Sequence, residues 1–203
     1  MKLGQRMNRN LRSAVLLVAL PASGCLGLAR EAPQKNTFAL EVTRPPADIP
    51  PSATVLMIEP FRVAPLFADR AFVYRTDANV YASDFYNEFL ARPEEALTEI
   101  ARAWFQAAGI RVVAPGSRVE PTHFLEVDVD SLFGDYAGDA HRAVLAVRAT
   151  LIAADEGQVL WQRAYRAAAP LADDRPATLA AGWSEALRSV LTDIERDLRP
   201  HLL

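Results

Sequence analysis

The segment Leu125-Glu126-Val127-Asp128-Val129-Asp130 alternates apolar and acidic side chains. Because successive side chains of a strand point to opposite faces of a sheet, this alternation predicts a strand with one buried and one solvated face. Two further apolar segments, residues 143–152 and 159–167, flank the turn sequence Asp155-Glu156-Gly157-Gln158 and predict a hairpin of long strands. These three strands are expected to run antiparallel.

Two segments carry apolar residues at helical spacing. The first begins at Pro93, which suits the first helical position because proline has no N–H to pair there, and it ends at Gly109. Asp174 is the expected N-cap of the second helix, and Pro200 is its expected end. The apolar stripes are Leu97, Ile100, Ala101, Trp104, Phe105 and Ala108, and then Leu179, Trp183, Leu187, Val190, Leu191, Ile194 and Leu198.

Shorter strands are predicted at residues 38–42, 54–58 and 110–113, and residues 72–75 and 79–82 predict a hairpin. The order of elements is therefore strands, a helix, a run of antiparallel strands and a second helix. We expect an α+β fold, a two-layer sandwich in which a mostly antiparallel sheet carries two amphipathic helices on one face.

The first 24 residues have the layout of a secretory signal peptide. Four basic residues and no acidic residue precede the apolar run 14–20, which is followed by Pro21 and the small residues Ala22-Ser23-Gly24. The apolar run is shorter than the roughly 20 residues that cross a bilayer. We predict a signal peptide at 1–24, a tether at 25–36 and one folded domain at 37–203.

Cys25 is the single cysteine of the chain and directly follows these small residues. The arrangement resembles the lipobox of bacterial lipoproteins, although Ala22 stands where leucine is usual. The resemblance implies cleavage before Cys25 and acylation of its thiol, for example with palmitate. Leu26 follows the cysteine instead of an aspartate, which implies the outer membrane, facing the periplasm, with the inner membrane left open. In a flexible tail, Cys25 has no fixed base to activate it for catalysis.

Composition and charge exclude several classes of protein. With 51% hydrophobic and 23% charged residues, the chain is not disordered throughout. The net charge of −3 gives no basic stripe for nucleic acid. Removal of residues 1–24 leaves 18 of the 22 basic residues against 25 acidic ones, so the mature chain carries −7. An acidic body is not attracted to anionic lipids, so membrane attachment must depend on acyl chains.

The sequence offers little for catalysis or metal binding. Residues 182–186 (GWSEA) resemble a nucleophile elbow but lie inside a predicted helix. The four aspartates within 128–139 lack the spacing of a calcium loop. His123 and His141 could approach each other, which leaves open an envelope hydrolase that pairs one of them with an aspartate. We expect no enzymatic activity, no cofactor and no metal.

Aromatic residues are concentrated outside the predicted helices. Core packing and an exposed contact surface are both open explanations. Residues 133–139 (FGDYAGD) read as a turn whose two glycines could adopt positive φ. Six rings fall within residues 72–89, namely Phe72, Tyr74, Tyr81, Phe85, Tyr86 and Phe89.

Taken in order, these segments resemble the ABC-type transport auxiliary lipoproteins, the PqiC-like family. The resemblance covers about residues 37–199 and depends on the order of weak motifs. These are the signal with its terminal Cys25, Val63-Ala64-Pro65-Leu66, residues 72–76, Val80-Tyr81, the run from Phe85 to Pro93, and the aromatic-Gly-x-Tyr-x-Gly turn at 133–138.

The resemblance implies a non-enzymatic periplasmic subunit that works with an MCE-domain protein and with an ABC permease and ATPase. Such systems move phospholipids or other hydrophobic molecules and maintain membrane integrity. Homo-oligomerisation and the transported molecule are left open. The expected partner contacts are Tyr74, Tyr81, Phe85, Phe89, Phe133, Gly134, Tyr136 and Gly138.

Two further classes of function compete with this one. A lipid carrier would have its own apolar cavity between the sheet and the helices and would co-purify with lipid. The other is a structural assembly lipoprotein of the outer membrane, similar to the lipopolysaccharide-assembly lipoproteins. Neighbouring MCE and permease genes would favour transport over this role.

Overall fold

The computed structural model describes residues 34–45 and 54–202, all within one compact unit, Pro33–Leu203. The predicted signal peptide, Cys25 and most of the tether lie outside the described residues. The strands are β1 (Asn36–Phe38), β2 (Val55–Ile58), β3 (Arg62–Val63), β4 (Ala71–Asp77), β5 (Val80–Phe89), β6 (Arg111–Val113), β7 (His123–Asp135), β8 (Arg142–Ala153) and β9 (Val159–Pro170). The helices are α1 (Pro93–Ala107), α2 (Pro176–Leu202) and a short 3₁₀ turn, Pro65–Phe67.

The long strand β7 organises the sheet. Along one edge it pairs antiparallel with β8, which pairs antiparallel with β9, as the sequence predicts. The other edge of β7 is shared by β2, β3 and β4, and all three run parallel to it. Strand β2 is also parallel to β6, and β1 is parallel to β5.

The nine-stranded sheet is therefore mixed, and the expectation of a mostly antiparallel sheet is wrong. The physical reason is that residue alternation reports which face of a strand is buried but not the direction of its neighbours. Parallel neighbours need a long connection, and here the connection from β2 to β7 contains α1. The broader assignment to the α+β class is confirmed.

The core forms where α2 packs against β8 and β9. The alternation that predicts β7 is confirmed, since Leu125, Val127 and Val129 are each only 1% exposed. Trp183 of α2 reaches further along the sheet, with ring centroids 4.8 Å from Phe72 and 5.0 Å from Phe89. The apolar stripe of α2 is thus in contact with several strands.

The ends of the helices follow the predicted signals in part. Pro93 begins α1, and Gly109 follows it with φ of 78°. The prediction that Asp174 is the N-cap is wrong, because α2 begins at Pro176 and Asp174 pairs with His141 instead. Asp173 Oδ1, just before the helix, accepts hydrogen bonds from Arg175 N at 3.1 Å and Thr178 Oγ1 at 2.5 Å. Pro200 does not end the helix, because it removes only one backbone hydrogen bond in a last turn that buries Leu202.

The predicted turn at 133–139 begins later than expected. Phe133, Gly134 and Asp135 belong to β7 and pair with Val144, Ala143 and Arg142 of β8. Neither Gly134 nor Gly138 is among the described glycines with positive φ. The two strands of the predicted aromatic hairpin are instead longer than expected, since β4 and β5 cover residues 71–77 and 80–89.

Candidate functional site

The hairpin of β4 and β5 contains a large bulge. Val73 is opposite Ser83, but the next pair is Ala71 opposite Glu88, so residues 84–87 of β5 have no partner on β4. The carboxylate of Asp84 organises this segment. It accepts hydrogen bonds from the backbone N–H groups of Tyr86 at 2.7 Å and Asn87 at 3.0 Å, from Asn87 Nδ2 at 2.8 Å and from the Tyr74 hydroxyl at 2.7 Å.

These bonds shift the acidity of both groups. Partial burial raises the pKa of Asp84, but the hydrogen bonds from Asn87, Tyr74 and Tyr86 outweigh it and hold the pKa below its usual value. Burial, and then the bond to Asp84, raises the pKa of the Tyr74 hydroxyl well above its usual value. Asp84 is therefore a charged acceptor that fixes the shape of the bulge.

The bulge projects two aromatic side chains into solvent. Phe85 is 61% exposed and Tyr86 is 52% exposed, and their rings meet edge to face at 5.2 Å. Lys35, just before β1, places its ammonium 5.7 Å from the centroid of the Phe85 ring and 2.9 Å from Glu88 Oε2. We call Phe85, Tyr86 and the nearby exposed Leu90 the bulge patch.

A second exposed apolar group lies at the tip of the hairpin. Tyr81, 38% exposed, packs edge-on against Phe133 at 5.5 Å and against Phe67 of the 3₁₀ turn at 6.2 Å. Val80 and Leu66 beside these residues in the chain are more than half exposed. We call Leu66, Val80 and Tyr81 the tip patch.

The remaining predicted contact residues lie elsewhere. Phe89 and Phe133 are 3% exposed and belong to the core, and Tyr74 and Tyr136 are half-buried with ring centroids 5.3 Å apart. Gly134 is also buried. A Cβ there would lie 2.7 Å from Tyr136 Cε2 and 2.9 Å from Leu179 Cδ2, so this glycine permits a close contact with α2. Gly138 is exposed in the loop after β7.

The two candidate catalytic histidines are at opposite ends of the sheet. His123 begins β7, whereas His141 precedes β8 next to the end of β7, and the 13 residues of β7 separate them. The expectation that they approach each other is wrong, because β7 is longer than the alternating segment 125–130 that predicts it. At about 3.3 Å per residue the separation is roughly 40 Å.

His141 does pair with an aspartate. Its Nδ1 lies 2.5 Å from Asp174 Oδ1, and its ring stacks at 4.5 Å from Tyr136. This pair joins the loop after β7 to the start of α2. Ser184 of the elbow-like segment lies inside α2, where its hydroxyl donates to Ala180 O at 3.0 Å and accepts from Glu41 N at 3.1 Å. These bonds give Ser184 a role in packing the N-terminal segment on α2.

The aspartates of β7 are held by arginines. Asp128 pairs with Arg62 at 2.6 Å, and Asp135 pairs with Arg75 at 2.5 Å. Within residues 34–45 and 54–202, no cluster of three metal-ligating side chains is found. The same residues contain no helix long and apolar enough to cross a membrane.

A buried ion pair that the sequence analysis did not predict ties the N-terminal segment to both helices. Arg44 donates two hydrogen bonds of 2.8 Å to Glu195 of α2, and Trp104 Nε1 of α1 donates a third at 2.8 Å. Both charged side chains are 8% exposed. Burial raises the pKa of Glu195, but Arg44 and Arg199 outweigh it, so the pKa is lowered. Arg44 and Glu195 are 151 positions apart in the sequence, so no local sequence pattern indicates that they pair.

An apolar cleft of about 220 Å³ lies between β1 and α1. Pockets for drug-sized molecules have volumes of roughly 300–1,000 Å³, so this cleft is smaller than that range. It is lined by Phe38, Ala39, Leu40, Phe89, Leu90, Ala91, Ala96, Glu99 and Ile100.

Comparison with known proteins places this architecture in a family. Residues 38–195 match the family described as the ABC-type transport auxiliary lipoprotein component. The chain belongs to this family, which confirms the resemblance drawn from the motif order. Membership makes it a lipoprotein that assists ABC-type transport in the cell envelope.

Solved structures agree on the fold. Protein XCC0632 from Xanthomonas campestris is 21% identical with a TM-score of 0.71, over 79% of this chain and 92% of that one. An uncharacterised protein of known structure is 18% identical with a TM-score of 0.66, over 81% and 99% of the two chains. At such identities the likeness concerns the fold alone. No significant match to a curated protein was found.

Proposed function

We propose that this chain is a non-enzymatic, lipid-anchored accessory subunit of an MCE-type ABC transport system. Its cargo would be phospholipid or another hydrophobic molecule, and its activity would support membrane integrity. The observation that carries the proposal is the family match over residues 38–195, nearly the whole of the described domain. Acylated Cys25 would hold the domain at the outer membrane, facing the periplasm. Such an anchor raises the effective concentration of the domain toward a partner that bridges the two membranes.

The tip patch is the proposed contact with the MCE-domain protein or the permease. Leu66, Val80 and Tyr81 are exposed apolar side chains on a rigid base, because Tyr81 packs on the buried ring of Phe133. Protein interfaces favour aromatic anchors with such support. Of the predicted contact residues, Tyr81 is exposed here, and the buried ring of Phe133 supports it from below.

A matched pair of valines tests this contact. Val80 in the tip patch is 53% exposed and Val159 at the start of β9 is 54% exposed, so arginine at either position should disturb folding equally little. After cross-linking in intact envelopes, we expect Val80→Arg to reduce capture of the MCE-domain protein or permease at least about tenfold, since a charge at the centre of an interface costs several kcal/mol. Val159→Arg should capture as much as wild type. Equal capture by both variants would contradict the proposed contact.

The lipid-carrier alternative gains no support from the small cleft beside β1. Mass spectrometry of lipid extracts from the purified protein separates the two functions. The accessory role predicts no stoichiometric lipid beyond the acyl chains on Cys25. One bound phospholipid per chain would favour a carrier instead.

A further inference from the structure

The bulge patch lies where the tether enters the folded domain. Strand β1 pairs in register with the end of β5, Asn36 opposite Asn87 and Phe38 opposite Phe89. Lys35 immediately before β1 contacts both Phe85 and Glu88. At the other end of β1, Leu90 N donates a hydrogen bond of 2.8 Å to Phe38 O. Phe85 and Leu90 therefore lie near opposite ends of β1.

The length of the tether limits how far this region can be from the membrane. Lys35 lies ten positions after Cys25, and a fully extended chain spans at most about 3.6 Å per residue. If Cys25 is acylated, as the proposed function requires, Lys35 cannot be farther than about 36 Å from the bilayer. The exposed ring of Phe85 is in contact with Lys35, in the last part of the tether.

We propose that Phe85, Tyr86 and Leu90 insert into the headgroup region of the bilayer that carries acylated Cys25. Phenylalanine and leucine gain free energy by leaving water, and tyrosine is favoured at membrane interfaces because its ring is apolar and its hydroxyl can remain hydrated. The bulge held by Asp84 presents the two rings together, so little conformational freedom is lost when they insert.

The charge of the chain bears on whether electrostatic attraction or apolar contact would hold the bulge patch at the bilayer. The mature chain carries −7, and Lys35 beside the patch shares the Glu88 carboxylate with Arg70. The net charge of the chain gives no overall attraction to anionic lipids, so the apolar side chains are the proposed membrane contact. A contact of this kind is insensitive to ionic strength, whereas one between exposed charges is screened by salt.

Tryptophan scanning of the full-length, lipidated protein tests the proposal. Phe85→Trp and Leu90→Trp place a fluorophore in the bulge patch, and Val159→Trp places one at a position of similar exposure at the start of β9. The three native tryptophans remain in every variant and give a common background. Each variant is reconstituted into vesicles of phosphatidylethanolamine and phosphatidylglycerol whose acyl chains are brominated near the headgroup. Flotation of the vesicles reports on the anchor separately.

We expect both patch variants to float with the vesicles and to be quenched at least about threefold more than Val159→Trp, with no change at high salt. Quenching of the patch variants no greater than that of Val159→Trp, in protein that floats, would overturn the bilayer contact and leave the anchor intact. Protein that does not float would overturn the anchor and this inference together. If Phe85→Ser loses partner capture and the tryptophans of the patch variants are not quenched by lipid, the patch is a protein interface instead.

Discussion

At the residue scale, Asp84 decides how the hairpin presents its aromatic side chains. Its carboxylate joins four donors on both strands of the hairpin, so one side chain fixes a segment that has no ladder partner on β4. The sequence could predict the density of rings in residues 72–89 but not which of them are exposed. That division depends on the bulge, which depends in turn on the Tyr74 hydroxyl across the hairpin.

Replacement of Asp84 by alanine should destabilise the domain by about 2 kcal/mol, because four donors, three of them partly buried, lose a charged acceptor. Asp77→Ala is the matched control, since Asp77 in the same hairpin is exposed and accepts a bond from the adjacent Ala78 N–H. Thermal unfolding should show a midpoint lower by about 4–8 °C for Asp84→Ala and changed little for Asp77→Ala.

The stabilising effect of Asp84 should also depend on pH, and the direction of this dependence follows from its pKa. The pKa of Asp84 is lowered in the folded protein, so its contribution to stability is fully present above its unfolded pKa and is lost as pH falls through the folded value. The difference in unfolding midpoint between wild type and Asp84→Ala should therefore be constant near neutral pH and shrink below about pH 4. A difference that grows on acidification would contradict the role given to this carboxylate.

At the element scale, the close approach of α2 to the sheet is set by a glycine. A Cβ on Gly182 would lie 2.7 Å from the Cβ of Ala143 on β8 and 2.8 Å from Leu171 Cδ2. In the motif GWSEA at 182–186, the glycine thus permits close helix–sheet packing, and the serine accepts the hydrogen bond from Glu41 N. The sequence indicated a helix here, and the helix explains why the likeness to a nucleophile elbow is superficial.

Gly182→Ala should destabilise the domain by about 1–3 kcal/mol, although alanine is the better helix former by about 1 kcal/mol, because the methyl group of Ala143 cannot rotate away. Gly138→Ala serves as the control, since a Cβ there meets nothing within 4 Å and its φ is not positive. Denaturant unfolding should separate the two variants. Gly182→Ala as stable as wild type would mean that α2 is farther from β8 than described.

The strands show what sequence patterns can and cannot predict. Period-two alternation located β7 and its buried face, because burial of one face is a local property of the strand. It could not reveal that β2, β3 and β4 share the other edge of β7 in parallel, since pairing direction depends on the connections between strands. For the same reason the buried pair of Arg44 and Glu195 had no signal in the sequence.

At the scale of the whole molecule, the two apolar patches at and beside the hairpin of β4 and β5 have different proposed contacts. The tip patch would contact the transport partner, and the bulge patch beside β1 would contact the membrane that holds the anchor. The patches are about four residues apart along β5, or roughly 13 Å at the rise of a strand. A domain arranged in this way would place its partner close to the bilayer surface.

The proposed transport role is tested most directly by comparing the loss of this protein with the loss of its transporter. Uptake of an apolar dye measures envelope permeability in cells that lack this protein, the ABC ATPase, or both. If the chain acts only through that transport system, the two single deletions should raise permeability equally and the double deletion should raise it no further. A double deletion with the summed effect of the two single deletions would contradict the account.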